Sequence, residues 1–363
     1  MTEKLDDNTI SINKISPVRW GLIVLFFLFS CVLVWQYVKP FQAELHFRDG
    51  FNLGASKRFK YAIEELEKAK SYAPWETHYQ IQLAKYYEEF ALTQSNPSEK
   101  IRLLKKAEST YKHIIVLDKQ NPWYRNRLAM TYNRLKEAEP QHATKYAALS
   151  GENIKLGAML DKQNPLFQLN YASHLHKLNR LEDAKIYYKK VIDYDNRFGE
   201  AYYNLADIYR QEKKLDKTLY YYKELYRTNP KFKNINLALA STHIILGNKD
   251  EAIVHLENVI NKNPKQFEPL RSLAALYHQK QEWLKAAATY RLILNYFPEK
   301  KELHPFYIQA LVNAARFKLA ILELQKFIKE NPDNRAAKEQ MSKIELFLKK
   351  AINEQQASKN KKK

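Results

Sequence analysis

Glycine and cysteine are scarce in this chain. Its 363 residues include only 7 glycines, which leaves little material for the tight turns of β-hairpins. The single cysteine, Cys31, excludes a disulfide within the chain and a metal site built from several cysteines. Aromatic residues, by contrast, make up 13% of the chain and include 25 tyrosines, which suits helices packed through large side chains. We therefore expect an all-α protein.

The motifs of common catalytic sites are also missing. The sequence has no glycine-rich phosphate loop, no His-Glu-x-x-His zinc motif and no nucleophile elbow. The histidines are scattered, and His174 and His176 are two residues apart, so on a helix they would point in different directions. We expect no catalysis, no cofactor and no metal.

Proline recurs at a fixed interval in the second half of the chain. Pro230, Pro264, Pro298 and Pro332 are each 34 residues apart. When the proline is numbered 32 in each period, small or apolar residues recur at positions 7, 8, 11, 20, 24 and 27. This is the spacing of two amphipathic helices, and the pattern places Tyr222 and His243 between helices. A period of this size predicts stacked copies of one helical hairpin.

Two segments, AYYNLADIYRQEKKLDKTLYYYKELYRTNP (201–230) and EPLRSLAALYHQKQEWLKAAATYRLILNYFP (268–298), resemble the tetratricopeptide repeat family. The resemblance implies a right-handed superhelix of antiparallel helix pairs, an α-solenoid, with a concave groove lined by the first helix of each pair. This chain departs from the family at position 27, where the family usually has a small residue and this chain has Leu225, Val259, Ile293 or Phe327.

About eight repeats are predicted, over 43–76, 77–121, 122–164, 165–198, 199–232, 233–266, 267–300 and 301–334. The second and third are longer than the rest, with the extra residues around 91–100 and 137–142, and both end in the pentapeptide DKQNP, at 118–122 and 161–165. Such insertions often lie on a binding face, although we slightly favour the alternative of a neutral insertion. We predict a capping helix over 335–352 and a basic disordered tail over 353–363.

A long uncharged run lies near the N-terminus. Between Arg19 and Lys39 there are 19 uncharged residues, about 28 Å of helix, which nearly spans a hydrocarbon core of about 30 Å. Trp20 at one end, with Trp35 and Tyr37 at the other, resemble interfacial anchors. We predict a disordered tail over 1–18 and a single transmembrane helix over 19–41.

Alternatives to a simple anchor are a cleaved signal peptide and a lipidated Cys31. The segment 35–42 has no small residue for signal cleavage, and bulky Phe29 with the apolar residues after Cys31 argue against lipidation. The balance of Lys and Arg around the run favours cytoplasmic repeats, whereas a single N-terminal anchor usually leaves the bulk of the chain outside. We expect a bacterial inner (cytoplasmic) membrane protein whose repeats are extracytoplasmic.

The groove is the expected binding site, for a protein or peptide partner. Aromatic side chains among amides and charges give stacking area and hydrogen-bond direction. The candidates are Trp123, Asn126, Asn133, Tyr203, Asn204, Asp207, Arg210, Arg271 and His278, although Asn204 is also a common scaffold residue of these repeats. The net charge of +20 favours acidic partners, namely acidic proteins, anionic lipid or polysaccharide. The alternative is that the charge only reflects a lysine-rich surface in contact with solvent. The sequence lacks the stripe of arginine and aromatic residues that is typical of nucleic-acid binding, so we expect no nucleic-acid partner.

The sequence therefore predicts a membrane-anchored scaffold that mediates protein–protein interaction and assembly of a cell-envelope complex. An alternative comes from residues 43–90, which are similar to the C-terminal repeat region of O-antigen polymerase/ligase-like proteins. Because the multi-helix catalytic membrane domain of those proteins has no counterpart in the sequence, the chain would then be an accessory or separated half of a surface-polysaccharide polymerisation or export system.

Overall fold

The computed structural model describes residues 17–360 apart from 331 and 334, and within them it contains α-helices, two 3-10 turns and no strand. The expectation of an all-α protein is confirmed. The helices form two compact units that divide between Leu178 and Asn179. The predicted tail residues 1–16, and 361–363 at the other end, lie outside the described residues.

In the N-terminal unit, each helix packs on the next in chain order. The helices are α1 Pro17–Ala55, α2 Phe59–Tyr72, α3 Thr77–Thr93, α4 Pro97–Leu117, α5 Pro122–Ala138, α6 Ala143–Leu160 and α7 Pro165–Lys177, with a 3-10 turn at Pro140–His142. Short turns join the helices, so neighbours are antiparallel.

The first helix, α1, is continuous over 39 residues and includes both the predicted transmembrane segment and the first helix of the first repeat. Its N-terminal part exposes apolar side chains such as Leu25 and Phe26, whereas Ala43 is fully buried against α2. Val18–Ala55 is long and apolar enough to cross a membrane, a property that signal sequences share. Pro40 is tolerated inside the helix, and the structure has no linker between the apolar run and the repeats.

The extra residues of the second and third repeats lengthen helices rather than loops. Helix α4 has 21 residues and α6 has 18, whereas α2 has 14. The segment 91–100 contains the end of α3, a short turn and the start of α4, and 137–142 contains the end of α5 and the 3-10 turn.

The C-terminal unit consists of regular helix pairs. Its helices are α8 Leu181–Tyr194, α9 Gly199–Gln211, α10 Leu215–Thr228, α11 Ile235–Ile245, α12 Lys249–Lys262, α13 Phe267–Gln279, α14 Trp283–Tyr296, α15 His304–Asn313, α16 Phe317–Glu330 and α17 Arg335–Asn360, with a 3-10 turn at Lys301–Leu303. The periodic prolines follow the ends of α10, α12, α14 and α16, where a missing N–H costs little. Tyr222 and His243 are buried, as the repeat pattern predicted.

The last helix is longer than expected. Helix α17 continues to Asn360, so residues 353–360, for which the sequence predicted disorder, are helical. This segment contains no glycine or proline, and five of its eight residues, Glu354, Gln355, Gln356, Ala357 and Lys359, have favourable helix propensities.

Candidate binding clefts

The larger of two candidate clefts lies in the N-terminal unit, between α5, α6 and α7, and has a volume of about 430 Å³. We call it the N-terminal cleft. Helical spacing places one row of its residues on α5 and another on α7. It is lined by Asn126, Ala129, Met130, Asn133, Lys136, Ala147, Ser150, Ile154, Asn170, Ser173, His174, Lys177 and Leu178.

Amide side chains are the main polar groups of the N-terminal cleft. The Asn170 amide donates a hydrogen bond of 3.0 Å to the Asn126 side-chain oxygen, which joins α7 to α5 across the cleft. Asn133 makes no side-chain hydrogen bond among the described residues. Because an amide both donates and accepts, Asn133 can bond to a peptide group of a ligand.

The charged groups of the N-terminal cleft all have the same sign. Lys136 and Lys177 line it, no carboxylate does, and neither lysine has an ion-pair partner among the described residues. Burial, and then the charge of Lys177, lower the pKa of His174, so its imidazole is neutral at neutral pH. The imidazole lies against Gly151 of α6, where an added Cβ would come within 2.4 Å of the ring. The cleft therefore favours an anionic ligand.

The second cleft, in the C-terminal unit, is smaller, at about 290 Å³, and lies between α9, α10 and α11. The predicted residues Tyr203, Asp207 and Arg210 meet here. Asp207 accepts a hydrogen bond of 3.0 Å from Arg210 Nε, so the two charges neutralise each other. The ring of Tyr203 lies 5.4 Å from that of Tyr222. This cleft offers an aromatic face and little net charge.

The other predicted residues are dispersed. Trp123 lies at the start of α5, outside the N-terminal cleft, and packs edge-on against Phe167 at 4.8 Å. Asn204 is half-buried and does not line the second cleft. Arg271 is exposed and paired with Glu268 at 2.6 Å.

His278 is half-buried, and its ring makes an edge contact of 5.0 Å with Trp283. For all nine candidates, contact with a partner stays a prediction.

Sequence reasoning missed the α7 side of the N-terminal cleft. Asn170, Ser173 and Lys177 occupy positions 6, 9 and 13 of the fourth repeat, and Asn126 and Asn133 occupy positions 5 and 12 of the third; all five positions belong to the set on the first helix of a repeat that faces the groove in this family. The signal was thus available. The contribution of α6 could not be predicted in this way, because Ser150 and Ile154 belong to the second helix of a lengthened repeat.

Within the described residues, no group of three or more His, Cys, Asp or Glu side chains is placed to hold a metal ion.

Comparison with known proteins identifies the repeat. Residues 169–231 and 209–277 match two family models, both described as tetratricopeptide repeat. The resemblance seen in the sequence is confirmed, and the chain contains tetratricopeptide repeats. No curated protein sequence gives a significant match.

Among solved structures, the C-terminal part of a TPR repeat-containing protein from Cytophaga hutchinsonii matches with a TM-score of 0.55 and 16% identity, over 73% of this chain and 99% of that one. At this identity the likeness shows the fold alone. PilW, a type IV pilus biogenesis factor, matches with a TM-score of 0.46 and 15% identity, over 64% of this chain and 97% of that one. YrrB, a TPR protein with an unusual peptide-binding site, matches with a TM-score of 0.43 and 17% identity, over 53% of this chain and 99% of that one.

Proposed function

We propose that this protein is a membrane-anchored scaffold that binds a partner protein and helps assemble a cell-envelope complex, without catalysis of its own. Tetratricopeptide repeats suit this role because stacked helix pairs present extended binding surfaces. The observation that carries the proposal is the lining of the N-terminal cleft, where amides and two unpaired lysines meet with no carboxylate.

The anchor is the N-terminal part of α1. Its apolar side chains are exposed, and an exposed apolar surface of this size indicates a contact with lipid or protein. In the proposed arrangement α1 crosses the bacterial inner membrane and the repeats are extracytoplasmic. A helix of this kind confines the clefts to the membrane surface and so raises the effective concentration of partners held there.

The partner segment that fits the N-terminal cleft is an extended acidic peptide. Peptide groups can pair with Asn126 and Asn133, and carboxylates can pair with Lys136 and Lys177. Met130 supplies an adaptable apolar contact. The volume of the cleft also lies within the range of about 300–1,000 Å³ that is common for ligand sites.

A site-specific cross-linking experiment tests this. A photo-reactive amino acid replaces Asn133 in the full-length protein, in native membranes, and a matched control carries it at Lys155, which is exposed on α6. We expect one cross-linked partner from position 133 and none from 155. An acidic segment of that partner should compete, and the same segment with Asp and Glu changed to Asn and Gln should not. Lys136→Glu with Lys177→Glu should abolish the cross-link.

Cross-links of the same partners from both positions would contradict the cleft as the site, as would a cross-link that survives the double substitution. An anionic polysaccharide carries the same charge as an acidic peptide. Competition by oligogalacturonate, with none by the acidic peptide, would instead support the alternative function, an accessory role in surface-polysaccharide polymerisation or export.

A further inference from the structure

The continuity of α1 fixes where the first repeat lies relative to the apolar run. No turn separates Val38, at the end of that run, from Ala43, and the helical rise puts them about 8 Å apart along the axis. Ala43 packs against Ala73 and Tyr79, which lie on either side of the turn between α2 and α3. The headgroup region adds roughly 5–8 Å to each side of the hydrocarbon core. If α1 spans the bilayer, this turn lies at headgroup level.

Two further turns lie on the same edge of the N-terminal unit. The Tyr124 hydroxyl is 3.5 Å from Thr77 Oγ1, which places the start of α5 beside the start of α3. The rings of Trp123 and Phe167 are 4.8 Å apart, which places the start of α7 beside that of α5. We call the turns 73–76, 118–121 and 161–164 the basal edge. The turns 56–58, 94–96 and 139–142, at the other ends of these helices, form the opposite edge.

The repeated pentapeptide accounts for the shape of the two later turns. In the first copy, the Asp118 side chain accepts from the Gln120 N–H and the Asn121 side chain accepts from the Trp123 N–H at 3.1 Å. In the second, the Asp161 side chain accepts from the Asn164 N–H and the Asn164 side chain accepts from the Leu166 N–H, both at 3.1 Å. The aspartate and asparagine thus shape the turn and cap the next helix.

The lysine of each copy has no such structural role. Lys119 and Lys162 are both exposed, without an ion-pair partner among the described residues. The turn geometry therefore explains three of the five repeated residues, counting the proline that begins each following helix, and leaves an exposed lysine and an exposed glutamine at the same place on both turns.

Large apolar side chains are exposed beside these lysines. Trp75 is 57% exposed and Trp123 is 48% exposed. Val116 and Met159, near the ends of α4 and α6, are 66% and 56% exposed. The turns of the opposite edge also carry cations and have exposed apolar neighbours, Tyr61 at 57% and Leu92 at 56%, but no tryptophan lies in or beside them. Exposed tryptophan and lysine on one edge are the residue types that proteins place at the boundary between lipid and water.

We propose that the basal edge lies on the surface of the bilayer that α1 spans, with Trp75 and Trp123 at headgroup depth and Lys119 and Lys162 against anionic headgroups. This inference rests on the proposed function in one respect, that α1 is a membrane anchor. Such a contact limits the tilt of α1 in the membrane and so gives the N-terminal cleft a fixed height above it.

Spin labels on single cysteines test the proposal in the full-length chain, reconstituted in vesicles of phosphatidylcholine and phosphatidylglycerol. Native Cys31 reports on the anchor. In a Cys31→Ala background, Gln120→Cys and Gln163→Cys report on the basal edge, and Ser95→Cys and Gln141→Cys are matched controls on the opposite edge. All four positions are exposed. The measurement is collision of each label with oxygen, which enters lipid, and with a nickel complex, which stays in water.

We expect the Cys31 label to lie in hydrocarbon, the labels at 120 and 163 to be protected from nickel, and those at 95 and 141 to be accessible to it. Lys119→Glu with Lys162→Glu, and separately Trp75→Ala with Trp123→Ala, should raise nickel accessibility at 163 to the level of the opposite edge. Unchanged spectra at 95 and 141 show that each variant remains folded.

Two failures are distinguishable. A Cys31 label that nickel reaches overturns the anchor, and with it the proposed function. A Cys31 label in hydrocarbon, combined with basal labels as accessible as those at 95 and 141, overturns the membrane contact and leaves the anchor intact. Vesicles of phosphatidylcholine alone should lower the protection at 163, because the lysines then lack anionic partners; full protection there would contradict their role.

Discussion

Tyr222 shows how one aromatic residue holds a helix pair together. Its side chain is 2% exposed, in a cluster with Ala206, Leu225 and Leu239, and burial raises the pKa of its hydroxyl. Tyr222→Ala should lower the free energy of unfolding by about 3–5 kcal/mol, because the ring leaves a cavity between helices. Denaturant unfolding in detergent, followed by the helical circular dichroism signal, measures this.

Tyr220 is the matched control for Tyr222. It lies on the same helix and is 59% exposed, so Tyr220→Ala should change the free energy of unfolding by no more than about 0.5 kcal/mol. Equal effects of the two substitutions would mean that α10 does not bury the face described here.

Glu88 predicts a pH dependence of stability in the N-terminal unit. It is 1% exposed, accepts a hydrogen bond of 2.6 Å from Thr131 and pairs with Arg134 at 2.8 Å. Burial outweighs these partners and raises the pKa of its carboxyl group. The folded state then binds the proton more tightly than the unfolded state, so the stabilisation is present at low pH. It is lost as the pH rises from the ordinary glutamate range through the raised pKa.

Glu88→Gln should remove this loss, because the amide keeps an acceptor for Thr131 and cannot ionise. The midpoint of thermal unfolding, measured across the acidic range for both proteins, should fall less with rising pH in the variant. A variant whose midpoint falls as steeply as that of the wild type, or more steeply, would show that Arg134 and Thr131 outweigh burial.

Residues in the regular repeats were predictable, and those that depend on the lengthened repeats were not. Tyr222 and His243 are buried where the 34-residue period places them. The pair of Glu88 and Arg134 joins α3 to α5, and no fixed period relates these residues, because the repeat between them has extra residues. The groove contact of Trp123 stays a prediction; in the structure Trp123 lies at the start of α5 and packs against Phe167.

At the scale of the element, the turn within each regular helix pair has one strained position. Position 15 has a positive φ in six repeats, at Lys57, Asn179, Lys213, Gly247, Gln281 and Ala315. Only Gly247 avoids the steric cost of this conformation. The helical pattern identifies the helices on either side but does not reveal a backbone angle that lysine and glutamine also adopt here.

Two opposite substitutions test this position. Gly247→Ala should destabilise the C-terminal unit by about 1 kcal/mol, and Ala315→Gly should stabilise it by roughly 0.5–1 kcal/mol, since each residue has φ above +50°. Open space around Gly247 excludes a clash as the cause. Urea unfolding of both variants measures the changes. Destabilisation by Ala315→Gly would indicate that the entropy of the unfolded chain outweighs the strain.

Helix α1 contains both the predicted transmembrane segment and the first helix of the first repeat. Hydropathy falls after Val38, which suggests a boundary, but helix formation depends on backbone groups and not on hydropathy. Pro40 removes one backbone hydrogen bond from the helix, but from Phe41 to Phe47 the chain has neither glycine nor proline, and the helix continues through this segment. The anchor and the first repeat therefore share one continuous helix, which the basal-edge contact requires.

At the scale of the whole molecule, α1 has two roles, and two deletions separate them. Removing residues 1–41 takes away the apolar run and leaves Ala43 and Phe47 to pack on α2 and α3. This product should be soluble, helical and monodisperse. Removing residues 1–55 should also uncover Ala62 and Leu66 of α2, which are fully buried in the intact chain, and so cause aggregation or loss of helix.

Carbonate washing of membranes, followed by N-terminal sequencing of the retained protein, decides between an anchor and a cleaved signal. We expect the intact chain to stay with the membrane and to keep residues 1–41, because the segment 35–42 has no small residue for signal cleavage. The 1–41 deletion should appear in the wash. A deletion product that stays in the membrane would mean that another part of the chain holds it there independently of α1. A mature chain beginning near residue 40 would make the apolar run a signal and remove the basis of the proposed anchor.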